Sequence, residues 1–155
     1  MNTKITVTAA ALLFAAIFVS QNAIAAAPCS LATSSQIGAA LNAKFDAGNA
    51  PTPSTCEWRE VTTGTAIYIV DVNTSNANFY SSMKTQAGQV GRAKPLAGVG
   101  DEAFFLLAGN GVDTSLYVKK GAFAFQVMIT GGRALSEADR ETKEEAIASV
   151  IAKQI

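Results

Sequence analysis

From residue 33 onward, apolar positions fall into blocks of helical and strand period that predict an ordered succession of elements. Ile37, Ala40, Leu41 and Phe45 recur at helical spacing and make one buried stripe. The preceding Thr33-Ser34-Ser35-Gln36 reads as a capping box, in which the Thr33 hydroxyl accepts an orphan N–H and Gln36 reaches back. Gly48-Asn49-Ala50-Pro51-Thr52-Pro53 then reads as a turn-rich linker. Two runs rich in Val, Ile, Thr and aromatics follow, Cys56 to Thr62 and Thr65 to Asn73, joined by a hairpin-like Thr63-Gly64. In the first, Trp58 shares a face with Cys56 while Glu57 and Arg59 point the other way. In the second, Ala66, Tyr68, Val70 and Val72 fill one face and Ile67 and Ile69 the other, the pattern of a central strand covered on both sides, with Asp71 on the second face.

A second helix is predicted from Ser75, with Phe79, Tyr80, Met83 and Ala87 inward and Gly88 as its stop. Gly88 to Leu96 reads as a loop carrying Arg92, Lys94 and Pro95. After Gly98-Val99-Gly100 come three further strands, Ala103 to Leu107, Thr114 to Lys119 and Ala122 to Thr130, with a loop from Ala108 to Asp113 and a tight turn at Lys120-Gly121. The last has the cleanest alternation in the chain: Phe123, Phe125, Val127 and Ile129 face inward, and Ala124, Gln126, Met128 and Thr130 face away. Gly131-Gly132-Arg133 breaks it, and Ser136 with Asp139 opens a final helix whose stripe is Ala146, Ile147, Val150 and Ile151. Asp139 with Lys143 and Arg140 with Glu144 stand at i, i+4 and read as a solvated helix face. The order α-β-β-α-β-β-β-α predicts an α+β fold, a single curved antiparallel sheet of about five strands with helices packed on it.

The first 25 residues change how much of the chain is fold. Lys4, an almost unbroken apolar run from Ile5 to Val19 and the Ala23-Ile24-Ala25 site have the form of a cleavable signal peptide, leaving residues 26–155 as one domain in the periplasm or outside the cell. The run ends in Ser20, Gln21 and Asn22 instead of a charged stop flank, so stable membrane insertion is not expected, and Ala26-Ala27-Pro28 before Cys29 is not a lipobox. Two cysteines in an oxidising compartment predict a structural Cys29–Cys56 disulfide. Twelve basic and twelve acidic residues give zero net charge, and loss of Lys4 would leave one net negative charge, so neither nucleic acid nor an anionic membrane is an expected partner.

The chemistry is bounded by the absence of histidine from the sequence, which removes Ser-His-Asp and Cys-His nucleophilic sites and the usual zinc sites. Neither a metal nor a cofactor is expected. Ser81-Ser82-Met83-Lys84 matches S-x-x-K on a predicted helix, without the companion elements of Ser/Lys hydrolases. Asp71-Val72-Asn73-Thr74-Ser75 opens like a calcium loop, but Asn76 stands where glycine is needed and Ser82 where a bidentate Glu is needed. Gly88-Gln89-Val90-Gly91 with Arg92 and Lys94 reads as a loop able to make contacts, not a nucleic-acid clamp. Gly98, Gly100, Asp101 and Glu102 form a candidate binding or turn motif; neighbours in an extended chain point to opposite faces, so the two acids would not converge on one bond, and a turn with Asp101 accepting backbone N–H groups is the expected role. No catalytic residue is assigned.

Cys29-Ser30-Leu31-Ala32-Thr33 before the first helix, Cys56-Glu57-Trp58, Gly98-Val99-Gly100-Asp101-Glu102-Ala103 and Leu116-Tyr117-Val118-Lys119-Lys120-Gly121 together give the chain a resemblance. It resembles small exported bacterial domains of unknown function, in particular uncharacterised actinobacterial secreted lipoproteins with a Cys-x-Leu start and a Gly-x-Gly-Asp-x-Ala turn. The resemblance implies an exported sheet-and-helix domain like the PsbP-like domains and carries over no catalytic residue. The function expected is a non-enzymatic binding or interaction protein, an inhibitor or immunity protein among the versions, using an open sheet face or the Gly88 to Leu96 loop. Its partner would be an envelope or exported protein or a small apolar ligand. A small hydrolase using Ser81 and Lys84 and a structural envelope component are the alternatives.

Overall fold

The structure is a computed structural model that describes residues 27–61, 68–131 and 135–155. The signal-peptide segment, the Thr63-Gly64 junction and the Gly132-Arg133 break lie outside the described residues. After a 3-10 turn at Pro28–Ser30, the order is α1 (Ser34–Leu41), β1 (Asn49–Thr52), β2 (Thr55–Arg59), β3 (Tyr68–Asn76), α2 (Ala77–Gln89), β4 (Ala93–Leu96), β5 (Glu102–Leu107), β6 (Thr114–Lys120), β7 (Phe123–Gly131) and α3 (Glu137–Ala152). The fold is α+β with one antiparallel sheet, ordered β1-β2-β3-β7-β6-β5-β4.

The sheet has seven strands where about five were expected. The two additions are β1, inside the expected Gly48–Pro53 linker, and β4, inside the expected Gly88–Leu96 loop; they are the two edges, and each carries a proline, Pro51 or Pro95. An edge strand tolerates proline because one side of its ladder is not used, so punctuation that argues against a central strand is compatible with an edge.

The element starts follow the local chemistry. Thr33 and Gln36 close the capping box of α1 in both directions, Asn76 caps α2 by accepting the Phe79 N–H, and Ser136 caps α3 by accepting the Asp139 N–H. One sheet face packs against α1 and α3: Trp58, Val70, Val72, Phe105, Leu116, Val118, Phe125, Val127 and Ile129 meet Ile37, Leu41, Ile147 and Ile151 in the main core. Cys29 and Cys56 are disulfide-bonded with Cα atoms 5.0 Å apart, tying the 3-10 turn to β2 beside Trp58. On the opposite face α2 lays Tyr80 and Ala87 on Phe104, Tyr117 and Ala124 in a smaller second core. Phe104 stacks on Tyr117 and meets the Tyr80 ring edge-on.

Three further expectations are corrected. Phe79, assigned inward, is 48% exposed, because α2 turns Tyr80 to the sheet instead. The second face of β3 is only half-buried at Ile69 and Asp71, since α2 covers the β5–β6–β7 side and not this one. Arg140 and Glu144, assigned to a solvated face, are buried at 5% and 0% exposure. Among the described residues, no helix is long and apolar enough to cross a membrane.

Candidate functional site

Strand alternation and register place a set of side chains on the part of the second face that α2 leaves open. In one row Thr55, Asn73 and Gln126 lie across β2, β3 and β7. The Thr55 hydroxyl donates to Asn73 Oδ1 over 2.7 Å, and Asn73 Nδ2 donates to Gln126 Oε1 over 3.3 Å. In the next row Glu57, Asp71 and Met128 are register partners, followed by Arg59, Ile69 and Thr130. Glu57 is engaged by Arg59 Nε at 2.7 Å. The Asp71 carboxylate makes no hydrogen bond or ion pair with any described residue. Burial raises its pKa above the ordinary carboxylate value and the facing Glu57 raises it further, with Arg59 opposing. Like charges directly opposite on neighbouring strands are unfavourable, so Asp71 is held in a place that the fold itself does not reward.

At one end the open face runs into a split in the sheet. β6 and β7 are laddered from Lys120–Phe123 to Leu116–Val127 and no further. Beyond that point β7 continues along β3 to Gly131, and β6 continues along β5 to Thr114. From the helix side α3 plugs the gap. Glu144 accepts the Thr114 hydroxyl at 3.0 Å on one oxygen and the Ile129 N–H at 3.2 Å on the other, bridging the two separated strands. Arg140, one turn earlier, donates to the Ile129 carbonyl and to the Val112 carbonyl, the latter at 3.0 Å, and lies 3.8 Å from Asp113. Burial pushes the Glu144 carboxyl up to about 7, against the pull of its two hydrogen bonds and of Arg140. From the open face the split is a hollow of about 330 Å³ lined by Leu106, Ala108, Asp113, Thr114, Ser115, Met128, Ile129 and Thr130.

The residues singled out from sequence lie elsewhere and are not gathered into one place. Gly98 and Gly100 have positive φ in the turn before β5. Asp101 donates its N–H to the Lys119 carbonyl at 2.8 Å, and its carboxylate accepts the Gly121 N–H at 2.7 Å, bracing the β6–β7 turn. Glu102 bonds Lys119 at 2.6 Å and Lys84 at 2.7 Å, and these two ammonium groups hold its carboxyl down at about 2. Lys94 clasps Glu141 of α3 at 2.6 Å, while the Arg92 side chain lies against Gly109. Ser81 donates back to the Ala77 carbonyl and Lys84 is committed to Glu102, so the S-x-x-K pair is not joined by a hydrogen bond. Among the described residues no group of three or more potential metal-ligating side chains is assembled.

The split and the Glu144–Arg140 plug were missed from sequence, because i, i+4 opposite charges on a helix have the same spacing whether they face water or a gap in a sheet. The position of Asp71 was readable from alternation; its lack of a partner was not. No protein-family model matches the chain, and no curated protein or solved structure matches it either.

Proposed function

We propose that the chain is an exported, non-enzymatic binding protein that docks a protein partner on the open face of β2, β3 and β7. The observation that carries this reading is Asp71, half-buried on a central strand between the facing Glu57 and Met128, its carboxylate without a hydrogen bond or ion pair among the described residues. The face combines an acid whose carboxylate makes no hydrogen bond or ion pair among the described residues with the apolar surface of Ile69 and Met128 and the amide-bearing Asn73 and Gln126. Its complement is a segment presenting Lys or Arg beside apolar side chains, whose cation relieves the Glu57–Asp71 repulsion on docking. An exported toxin held by its inhibitor is one pairing of this kind. The disulfide and the signal-like first 25 residues support an exported location.

The test is parallel capture from native envelope extract with the wild-type protein, with Asp71→Lys and with Glu137→Lys on the helix side. A partner retained by wild type and by Glu137→Lys, lost with Asp71→Lys at an unchanged melting temperature, and released by salt supports docking on this face. A partner captured equally by all three proteins places the binding surface elsewhere.

A further inference from the structure

We propose that the hollow at the β6–β7 split, which borders the open face and shares Met128 with it, is a second binding site, for a small neutral molecule with an apolar body and a hydrogen-bonding head such as a primary amide. It does not require a partner docked on the open face, although Met128 belongs to both.

The walls and the floor have different chemistry. Leu106, Ala108 and Met128 supply apolar wall, and the volume of about 330 Å³ lies at the small end of the range typical of small-molecule sites. The floor is backbone. Thr114 and Ile129 turn their side chains to the helix side, where Thr114 bonds Glu144 and Ile129 joins the main core. The Asp113 carbonyl accepts the Ala108 N–H on the β5 side, so strand alternation directs the Thr114 N–H and carbonyl toward β7. The ladder gives them no partner there, because it stops at Leu116–Val127, and the facing Ile129 groups are taken by Glu144 and Arg140. Two hydroxyls stand on opposite walls, Ser115 on β6 and Thr130 on β7, and neither is hydrogen-bonded to any described residue.

A head group with both a donor and an acceptor meets Thr114, Ser115 and Thr130 together. Charge favours a neutral head over an anionic one. An anion meets the Asp113 carboxylate at the rim, and the attraction that carboxylate offers a cation is offset by the Arg140 guanidinium 3.8 Å from it.

Benzamide is a suitable probe, with benzoate as its charged counterpart of the same shape. Titration into the purified, disulfide-bonded protein, followed by amide chemical shifts, is expected to give saturable shifts confined to residues 106–108, 113–115 and 128–130. Benzoate should bind at least about fivefold more weakly. Met128→Trp fills the hollow and should abolish the shifts, and Ser115→Ala with Thr130→Val should weaken binding severalfold at unchanged melting temperature. The absence of saturable shifts, equal binding of benzoate, or undiminished binding by both variants would overturn the proposal.

Discussion

Gly100 and Glu144 are each held by close surroundings that the sequence does not announce. Gly100 has φ of +63°, and a Cβ there would meet the Lys119 carbonyl oxygen and Val118 Cγ1, each at 2.6 Å. Lys119 cannot retreat freely, since that carbonyl also accepts the Asp101 N–H. Gly98 has φ of +89° and open space around it. Gly98→Ala should therefore cost about 1 kcal/mol of conformational strain, and Gly100→Ala roughly twice that or more once the clash is added; denaturant unfolding of both variants measures the difference, and equal costs would remove the steric argument. Glu144 makes an opposite kind of demand. Folded, it titrates at about 7 against an ordinary value of 4.5, so the native state holds the extra proton between those limits. Its contribution to stability is fully present below about pH 4.5 and is lost as pH rises through 7, a change of order a few kcal/mol. Gln can donate to the Thr114 hydroxyl and accept the Ile129 N–H, so Glu144→Gln should gain on wild type from about pH 5 to pH 7 and level off above it. Asp71, also raised, remains in both proteins, and Glu102 titrates below this window, so neither disturbs the difference. Parallel stability curves would show that burial of Glu144 costs nothing over this range. Neither residue's environment can be read locally: the glycine's need for no side chain comes from β6, and the burial of Glu144 from strands that part company over it.

Elements defined by strong periodicity or capping were legible, and elements defined only by their neighbours were not. β7 alternates over nine residues and α3 opens on its Ser136 cap. β1 and β4, four residues each, contain a proline and owe their strand character to a partner strand. The 3-10 turn at Pro28–Ser30 has no such ladder; it is held by its disulfide to β2, and α1 and β1 lie within the 27-residue separation between the cysteines. The chain-entropy account gives about 3.5 kcal/mol for a loop of that length. Cys29→Ser with Cys56→Ser should lose that much in chemical denaturation, with a further cost for a serine hydroxyl at the fully buried position 56. A loss below about 1 kcal/mol would mean that the packing of Leu31, Ala32 and Trp58 holds this end of the chain without the crosslink.

At the scale of the whole molecule, the sheet is open and its two edges present unpaired backbone, which is a template for association unless it is blunted. Both edge strands are short, and β4 has its proline in the protective register. Arg92 directs its carbonyl inward to the Leu107 N–H, so alternation sends the ring nitrogen of Pro95 outward, where a secondary amide would offer a donor to another chain. Lys94, beside it, is tied to Glu141 and keeps a charged side chain along the same edge. Pro95→Val therefore adds one outward N–H and a β-branched residue without touching the core, since position 95 is exposed. The variant should keep the wild-type melting temperature and associate with rising concentration in sedimentation velocity, while Pro51→Val on β1 reports on the opposite edge. If Pro95→Val sediments as wild type does at about millimolar concentration, the edge is protected by its shortness and by Lys94 without help from Pro95.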